Sequence, residues 1–144
     1  MKNIKRTILT VILLALASLC FAQETGKSIT VTVSGISKLK GEISIGLYKG
    51  AESYPKGDVF SGVFVKADNE AITYTFENIP AAEYAIALYH DENSNEKMDT
   101  NFMHIPKEGY AFSNNVFGTF GPPKFEKAKF EVKDDVKLEI KMKY

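Results

Sequence analysis

The chain predicts an all-β fold, an antiparallel sandwich of two sheets and about seven strands. Three observations carry that expectation. Apolar and polar residues alternate with a period of two through seven short segments, turn-forming residues recur between them, and no stretch holds a helical period.

In the first segment Ile29, Val31 and Val33 alternate with Thr30, Thr32 and Ser34, which puts an apolar row and a hydroxyl row on opposite faces of a strand. Ile43, Ile45 and Leu47 repeat the pattern, and Lys38-Leu39-Lys40-Gly41 between them reads as the turn of a hairpin. Val59 to Lys66 and Ala71 to Asn78 form the next expected pair, joined through Asp68-Asn69-Glu70. Tyr84, Ile86 and Leu88 mark a fifth strand. Ala128 to Val132 and Val136 to Met142 close the series around Asp134-Asp135. In the last of these Lys137, Glu139, Lys141 and Lys143 form a charged outer row that discourages pairing with a foreign strand. A closed barrel is the alternative architecture, and no repeat or linker marks a second domain.

The leading residues set the expected compartment. Lys2, Lys5 and Arg6 precede a largely apolar run from Ile8 to about Ala17, and Cys20-Phe21-Ala22 follows before Gln23. That run is shorter than the roughly 20 apolar residues of a membrane-crossing helix. The expectation is a signal peptide over 1–22, cleaved after Ala22, and a single exported domain over 23–144, in the periplasm, on the outer surface or outside the cell. A lipid anchor on Cys20 is the competing reading, weakened by Leu19 where a small residue is wanted. Cys20 is the only cysteine, so the mature domain relies on its core or on a metal, and about 120 residues suffice for a core. Without Lys2, Lys5 and Arg6 the 18 basic residues become 15 against 18 acidic ones, a formal charge of −3. Lysines alternate with acids and do not cluster, which argues against nucleic acid as a partner.

Two segments break the alternation. From Asp91 onward oxygen-bearing side chains recur at Asp91, Asn93, Asn95 and Asp99, the first, third, fifth and ninth positions of a calcium loop, with the Lys97 carbonyl at the seventh. A chain curling around a hard cation presents alternate side chains inward, and carboxylate and amide oxygens suit calcium better than zinc or copper. Glu96 stands where the sharp turn favours glycine, and Phe102 where a bidentate glutamate completes the shell. The expected affinity is therefore weak, on the order of 10⁻⁴ to 10⁻³ M, unless Glu108 or another carboxylate joins. A plain Asx-rich turn explains the same residues without a metal.

The second break, Phe102 to Phe125, sets six aromatics among Gly, Pro and Asn. The favoured reading is an ordered cover over one end of the sandwich. The sharper one is a ligand groove lined by Tyr110, Phe112, Asn114 and Asn115, with rings for stacking and amides for hydrogen bonds. The absence of tryptophan favours the cover.

With both breaks in view the chain resembles the bacterial domain of unknown function 2141. The residues that carry this are His90-Asp91-x-Asn93-x-Asn95-x-x-x-Asp99-x-Asn101, then Ile105-Pro106-Lys107-Glu108-Gly109-Tyr110-x-Phe112-Ser113-Asn114-Asn115, then Gly121-Pro122-Pro123-x-Phe125. Ser94, Glu96, His104 and Ala111 stand where that resemblance leads one to expect glycine. Phe76-x-x-Ile79-Pro80-x-Ala82-x-Tyr84 is similar, more loosely, to the strand-turn-strand of transthyretin-like and collagen-adhesin B-type sandwiches. Transthyretin-like or immunoglobulin-like strand order is the fold these imply, and neither likeness implies an activity.

For function the leading expectation is a non-enzymatic exported module, braced by calcium and presenting its aromatic loop to a protein or glycan. A small-ligand or metal carrier is the second reading and a periplasmic hydrolase the third. A hydrolase would draw on His90 and His104 as a zinc pair with Asp91 or Asp99, or on Glu92 and Glu108 as paired carboxylates. The mature chain offers no nucleophilic cysteine and no serine in an elbow context.

Overall fold

The computed structural model describes residues 26–144. The predicted leader over 1–22 lies outside the described residues. Eight strands follow in order: β1 (Lys27–Ser34), β2 (Glu42–Lys49), β3 (Ser61–Lys66), β4 (Ala71–Ile79), β5 (Ala82–Asp91), β6 (Tyr110–Phe112), β7 (Phe130–Val132) and β8 (Val136–Lys141). A 3₁₀ turn, Ser113–Asn115, and a one-turn helix α1, Phe125–Ala128, stand between β6 and β7. The helix is too short to announce itself by periodicity.

The strands form a two-sheet sandwich. One sheet has the order β4-β1-β8, and the other β3-β2-β5-β6 with β7 also on β5. Period-two alternation works as the sequence implies: Ile29, Val31 and Val33 of β1, Ile43, Ile45 and Leu47 of β2, and Tyr84 and Ile86 of β5 have no solvent exposure. Each such side chain contributes roughly 1.5–3 kcal/mol by leaving water. On the solvent face of the first sheet the hydroxyl row is paired across strands, Thr30 with Thr75 and Thr32 with Thr73.

The strand partners differ from those expected. β1 and β2 are not a hairpin: β1 lies between β4 and β8, and β2 between β3 and β5. β3 with β4 and β7 with β8 are likewise split between the sheets. Alternation assigns each side chain a face but names no neighbour, so short polar connections that cross from sheet to sheet look like hairpin turns. One pair, β1 with β8, is parallel.

The turn from β4 into β5 crosses sheets in the same way. The buried Tyr84 anchors it by donating its hydroxyl to the Pro80 carbonyl at 2.9 Å.

The aromatic segment supplies the eighth strand and a splice. β5 has β2 along one edge, while its other edge is shared by β6, opposite Ala87 to Tyr89, and β7, opposite Ala82 to Tyr84. The gap between β6 and β7 falls at Ile86. There the fully buried Ser113 accepts the Ile86 N–H at 2.9 Å and donates to the Ala128 carbonyl at 2.5 Å, so a side-chain hydroxyl continues the ladder. Asn114 donates to the carbonyls of Lys127 and Lys129. Asn115 accepts the Lys141 N–H and donates to the Glu139 carbonyl, tying the splice to β8 of the other sheet. Both asparagines adopt φ near the left-handed region (61° and 53°), which Asn tolerates better than most residues.

Replacing Ser113 by alanine strands a buried donor and a buried acceptor. We expect a loss of about 2 kcal/mol or more of folding stability, read from urea denaturation, with the circular dichroism of the folded state unchanged.

Candidate functional site

The site lies at the end of β5, where two core positions are filled by polar residues. His90 is fully buried. Its Nε2 donates to the Lys40 carbonyl at 2.7 Å, which leaves Nδ1 to accept from the Tyr144 hydroxyl at 2.7 Å. That hydroxyl also accepts the Ser37 N–H. The Tyr144 ring lies against Gly109, where a Cβ would collide with it. Gly41 is required for a similar reason: it has φ of +65° and packs against the Asp91 carbonyl with no room for a side chain.

Asp91, also fully buried, accepts the N–H groups of Asn95 at 3.0 Å and Glu96 at 2.7 Å. Glu108, 17 residues further on, does the same for Glu92 at 2.9 Å and Asp99 at 2.8 Å. Two buried carboxylates thus clamp the loop from both ends. Within it, Asn93 Oδ1 joins Asp91 on the Asn95 N–H, and Asn95 Oδ1 takes the Lys97 N–H. The amides of Asn93 and Asn95 donate to the two oxygens of Asp99 at 2.8 and 3.3 Å. The structure therefore brings Asp91, Asn93, Asn95 and Asp99 into one connected cluster, with Lys97 exposed on its rim.

This arrangement bears on the fit of a calcium ion. Among the described residues no three His, Cys, Asp or Glu side chains gather as a metal-binding group. The oxygen set depends on asparagine, whose amide nitrogens face the Asp99 carboxylate where a cation would lie. A half-turn of each amide would bring its oxygen there, but would take that oxygen from the Asn95 and Lys97 N–H groups it now accepts, so a hard cation would have to offset both lost bonds. Glu108 already holds two N–H groups, so it braces the loop and is not free to swing in as a further ligand.

Three of the positions where glycine is expected from the resemblance lie in this region with left-handed backbone: Ser94 at 55°, Glu96 at 61° and His104 at 57°. The fourth, Ala111, is a buried strand residue opposite Leu88. Side chains at such φ cost roughly 1–2 kcal/mol each. Ser94→Gly and Glu96→Gly should each therefore raise stability, by up to about 1 kcal/mol after the entropy of glycine is counted. Thermal melting checks this.

Beyond the loop, Thr100 bridges to Pro106, and Asn101 holds a tight hairpin tip. Its Oδ1 accepts the N–H groups of Met103 and Ile105, and its own N–H bonds the Ile105 carbonyl. The tip is apolar and open to solvent: Phe102 is 91% exposed, Met103 59% and Ile105 51%.

Three of the groups invoked for hydrolysis, His90, Glu92 and Glu108, are engaged within the fold. Both nitrogens of His90 are bonded, and His104 is exposed at the tip. Glu92 pairs with Lys38 at 2.7 Å and Lys40 at 3.3 Å. Burial pushes the Glu92 carboxyl up, but hydrogen bonds and charge from the two lysines outweigh it and hold the group below its ordinary value. A depressed carboxylate stabilises the fold above its unfolded value and ceases to do so as pH falls through the folded one. Glu92→Gln should thus lower the melting temperature at neutral pH, by about 1 kcal/mol at most given the exposed lysines. The gap to the parent should persist down to the ordinary value of 4.5 and close below it, in melting curves across pH.

The four groove candidates serve the sandwich itself. Phe112 is buried and packs edge-to-face with Tyr54, Tyr110 and Phe117, and Tyr54 continues the cluster to Tyr48 and Phe125. Burial, with Tyr48 alongside, pushes the Tyr54 phenol well up. Asn114 and Asn115 direct their amides to main-chain groups, as described above. A surface cavity of about 440 Å³ lies at the opposite end of β5, lined by Lys27, Asn78, Pro80 and Lys133 among others. Sequence reasoning missed Tyr144, Ser113 and the hairpin-holding role of Asn101. Only Asn101 had a local cue, as an asparagine in a turn; the partners of Tyr144 lie 54 and 107 positions away.

Among the described residues no helix is long and apolar enough to cross a membrane. A family model described as an uncharacterized protein conserved in bacteria, domain of unknown function 2141, matches residues 31–140. No curated protein and no solved structure matches the chain.

Proposed function

Since the chain belongs to this uncharacterised bacterial family, with residues 31–140 matched, we propose from its geometry that it is a non-enzymatic, exported binding module. Its binding element is the Phe102–Ile105 tip, and its brace is a calcium ion held by Asp91, Asn93, Asn95, the Lys97 carbonyl and Asp99. The observation that carries this reading is the tip: three large apolar side chains stand in water on a hairpin held by Asn101 and joined directly to the clamped loop. A soluble fold gains nothing from such exposure, whereas a partner with a matching pocket gains the burial of all three. Phe, Met and Ile suit a pocket on a protein. A glycan platform would want flat open rings, and Phe112 lies packed under its neighbours. Calcium fits as the brace because it replaces two amide donors at Asp99 with a charge that both carboxylates of the loop favour.

The cation is the accessible test. At a calcium concentration tenfold above the dissociation constant, the gain is about 1.4 kcal/mol, a rise of roughly 4 °C in melting temperature. Chelator should reverse the rise and Asp99→Asn should abolish it. Identical melting with calcium and with chelator would remove the ion from the proposal. The tip is tested separately: Phe102→Ser with Ile105→Ser should leave melting unchanged and abolish binding to an isolated partner protein. A positive glycan array insensitive to that double change would overturn the assignment of the tip.

A further inference from the structure

The two sides of the sandwich differ in how their edges are finished. On one side Asn115 covers β8 by bonding the Glu139 carbonyl and the Lys141 N–H, and β6 is bridged through Tyr110 to Lys143. On the other side lie β3 and β4. β4 carries threonines and Glu77 along its length. β3 has no comparable protection: from Val59 to Val65 there is no charge and no proline, and Val59, Phe60 and Phe64 are exposed. Among the described residues nothing pairs with its outer edge.

The phase of the β2–β3 ladder shows which groups that edge offers. The Ala67 N–H bonds the Gly41 carbonyl, in line with the register that sets Glu42 opposite Lys66 and Ile43 opposite Val65. Residues 61, 63 and 65 therefore turn their main-chain groups toward β2, and Gly62, Phe64 and Lys66 turn theirs outward.

We infer that β3 docks antiparallel against β3 of a second copy of this chain, centred on Phe64, so that two five-stranded sheets become one. This register sets Phe64 opposite Phe64, Val63 opposite Val65 and Gly62 opposite Lys66. It uses all three outward-facing residues, for about six main-chain hydrogen bonds. A register centred on Gly62 would need the Phe60 N–H, which already bonds the Leu47 carbonyl at 2.8 Å. One centred on Lys66 would oppose like charges, which destabilises a sheet. In the Phe64 register each lysine instead crosses a glycine, whose bare backbone leaves room for its aliphatic stem. The half-buried Val63 and Val65 become covered on the inner face, and the two phenylalanines stack on the outer one.

The test is oligomeric state together with register. Sedimentation equilibrium of the full chain should give a concentration-dependent dimer. Phe64→Lys, at an exposed position, should weaken it on the order of tenfold or more by opposing two charges, with circular dichroism unchanged and melting unchanged at concentrations where the parent is monomeric. In a Cys20→Ser background, Phe64→Cys should form an intermolecular disulfide on mild oxidation, because facing residues stand about 5.5 Å apart. Lys66→Cys should not, because its two copies are separated by roughly 13 Å of strand. A monomer at every concentration, equal cross-linking of both cysteine variants, or a monomer that takes up an unrelated strand peptide on this edge would each overturn the inference.

Discussion

The loop end of this protein depends on two buried carboxylates. Asp91 and Glu108 each accept two main-chain N–H groups, and together they bind the first and last turns of the loop between β5 and the hairpin tip. A buried carboxylate without such partners is costly, and bonds to a charged acceptor contribute roughly 1.5–3 kcal/mol each. The loop follows the demands of these oxygens even where its own residues resist. Ser94 and Glu96 accept left-handed backbone because the clamp on Asn95, Glu96 and Asp99 outweighs the steric cost.

The same logic of side chains acting as main chain recurs through the fold. Ser113 stands in for a strand residue between β6 and β7, and Asn115 for another along β8. The Tyr144 hydroxyl joins His90 to the Ser37 amide across segments far apart in sequence. These replacements explain how a segment without periodicity is tied to the rest of the fold. Its hydrogen bonds run to main-chain groups of other elements, and its rings pack in edge-to-face contacts over the second sheet.

What the sequence made legible follows from the range of each interaction. The faces of Ile29, Val31 and Val33 are set by their immediate neighbours, so alternation revealed them. The clustering of Asp91, Asn93, Asn95 and Asp99 is a property of nine consecutive residues, and their spacing revealed it. Which strand lies beside which is decided elsewhere: β1 pairs with a strand more than a hundred residues later, and nothing local in Lys38 to Gly41 distinguishes a hairpin from a crossing between sheets. Tyr110, Phe112, Asn114 and Asn115 read as groove candidates because ring and amide chemistry is the same whether it meets a ligand or the protein's own rings and backbone. The β6 strand itself, three residues long, is too brief for a period to register.

The parallel pairing of β1 with β8 has a consequence for how the chain comes together. The first strand lies in the middle of its sheet and waits for the last one, so that sheet lacks a full complement of neighbours until residue 141 is present. Closing so wide a loop carries an entropic cost that the nearer pairings escape. As the chain emerges, β1 can meet β4, and β2 can meet β3 and β5, by residue 91, while one flank of β1 stays open until the last strand arrives.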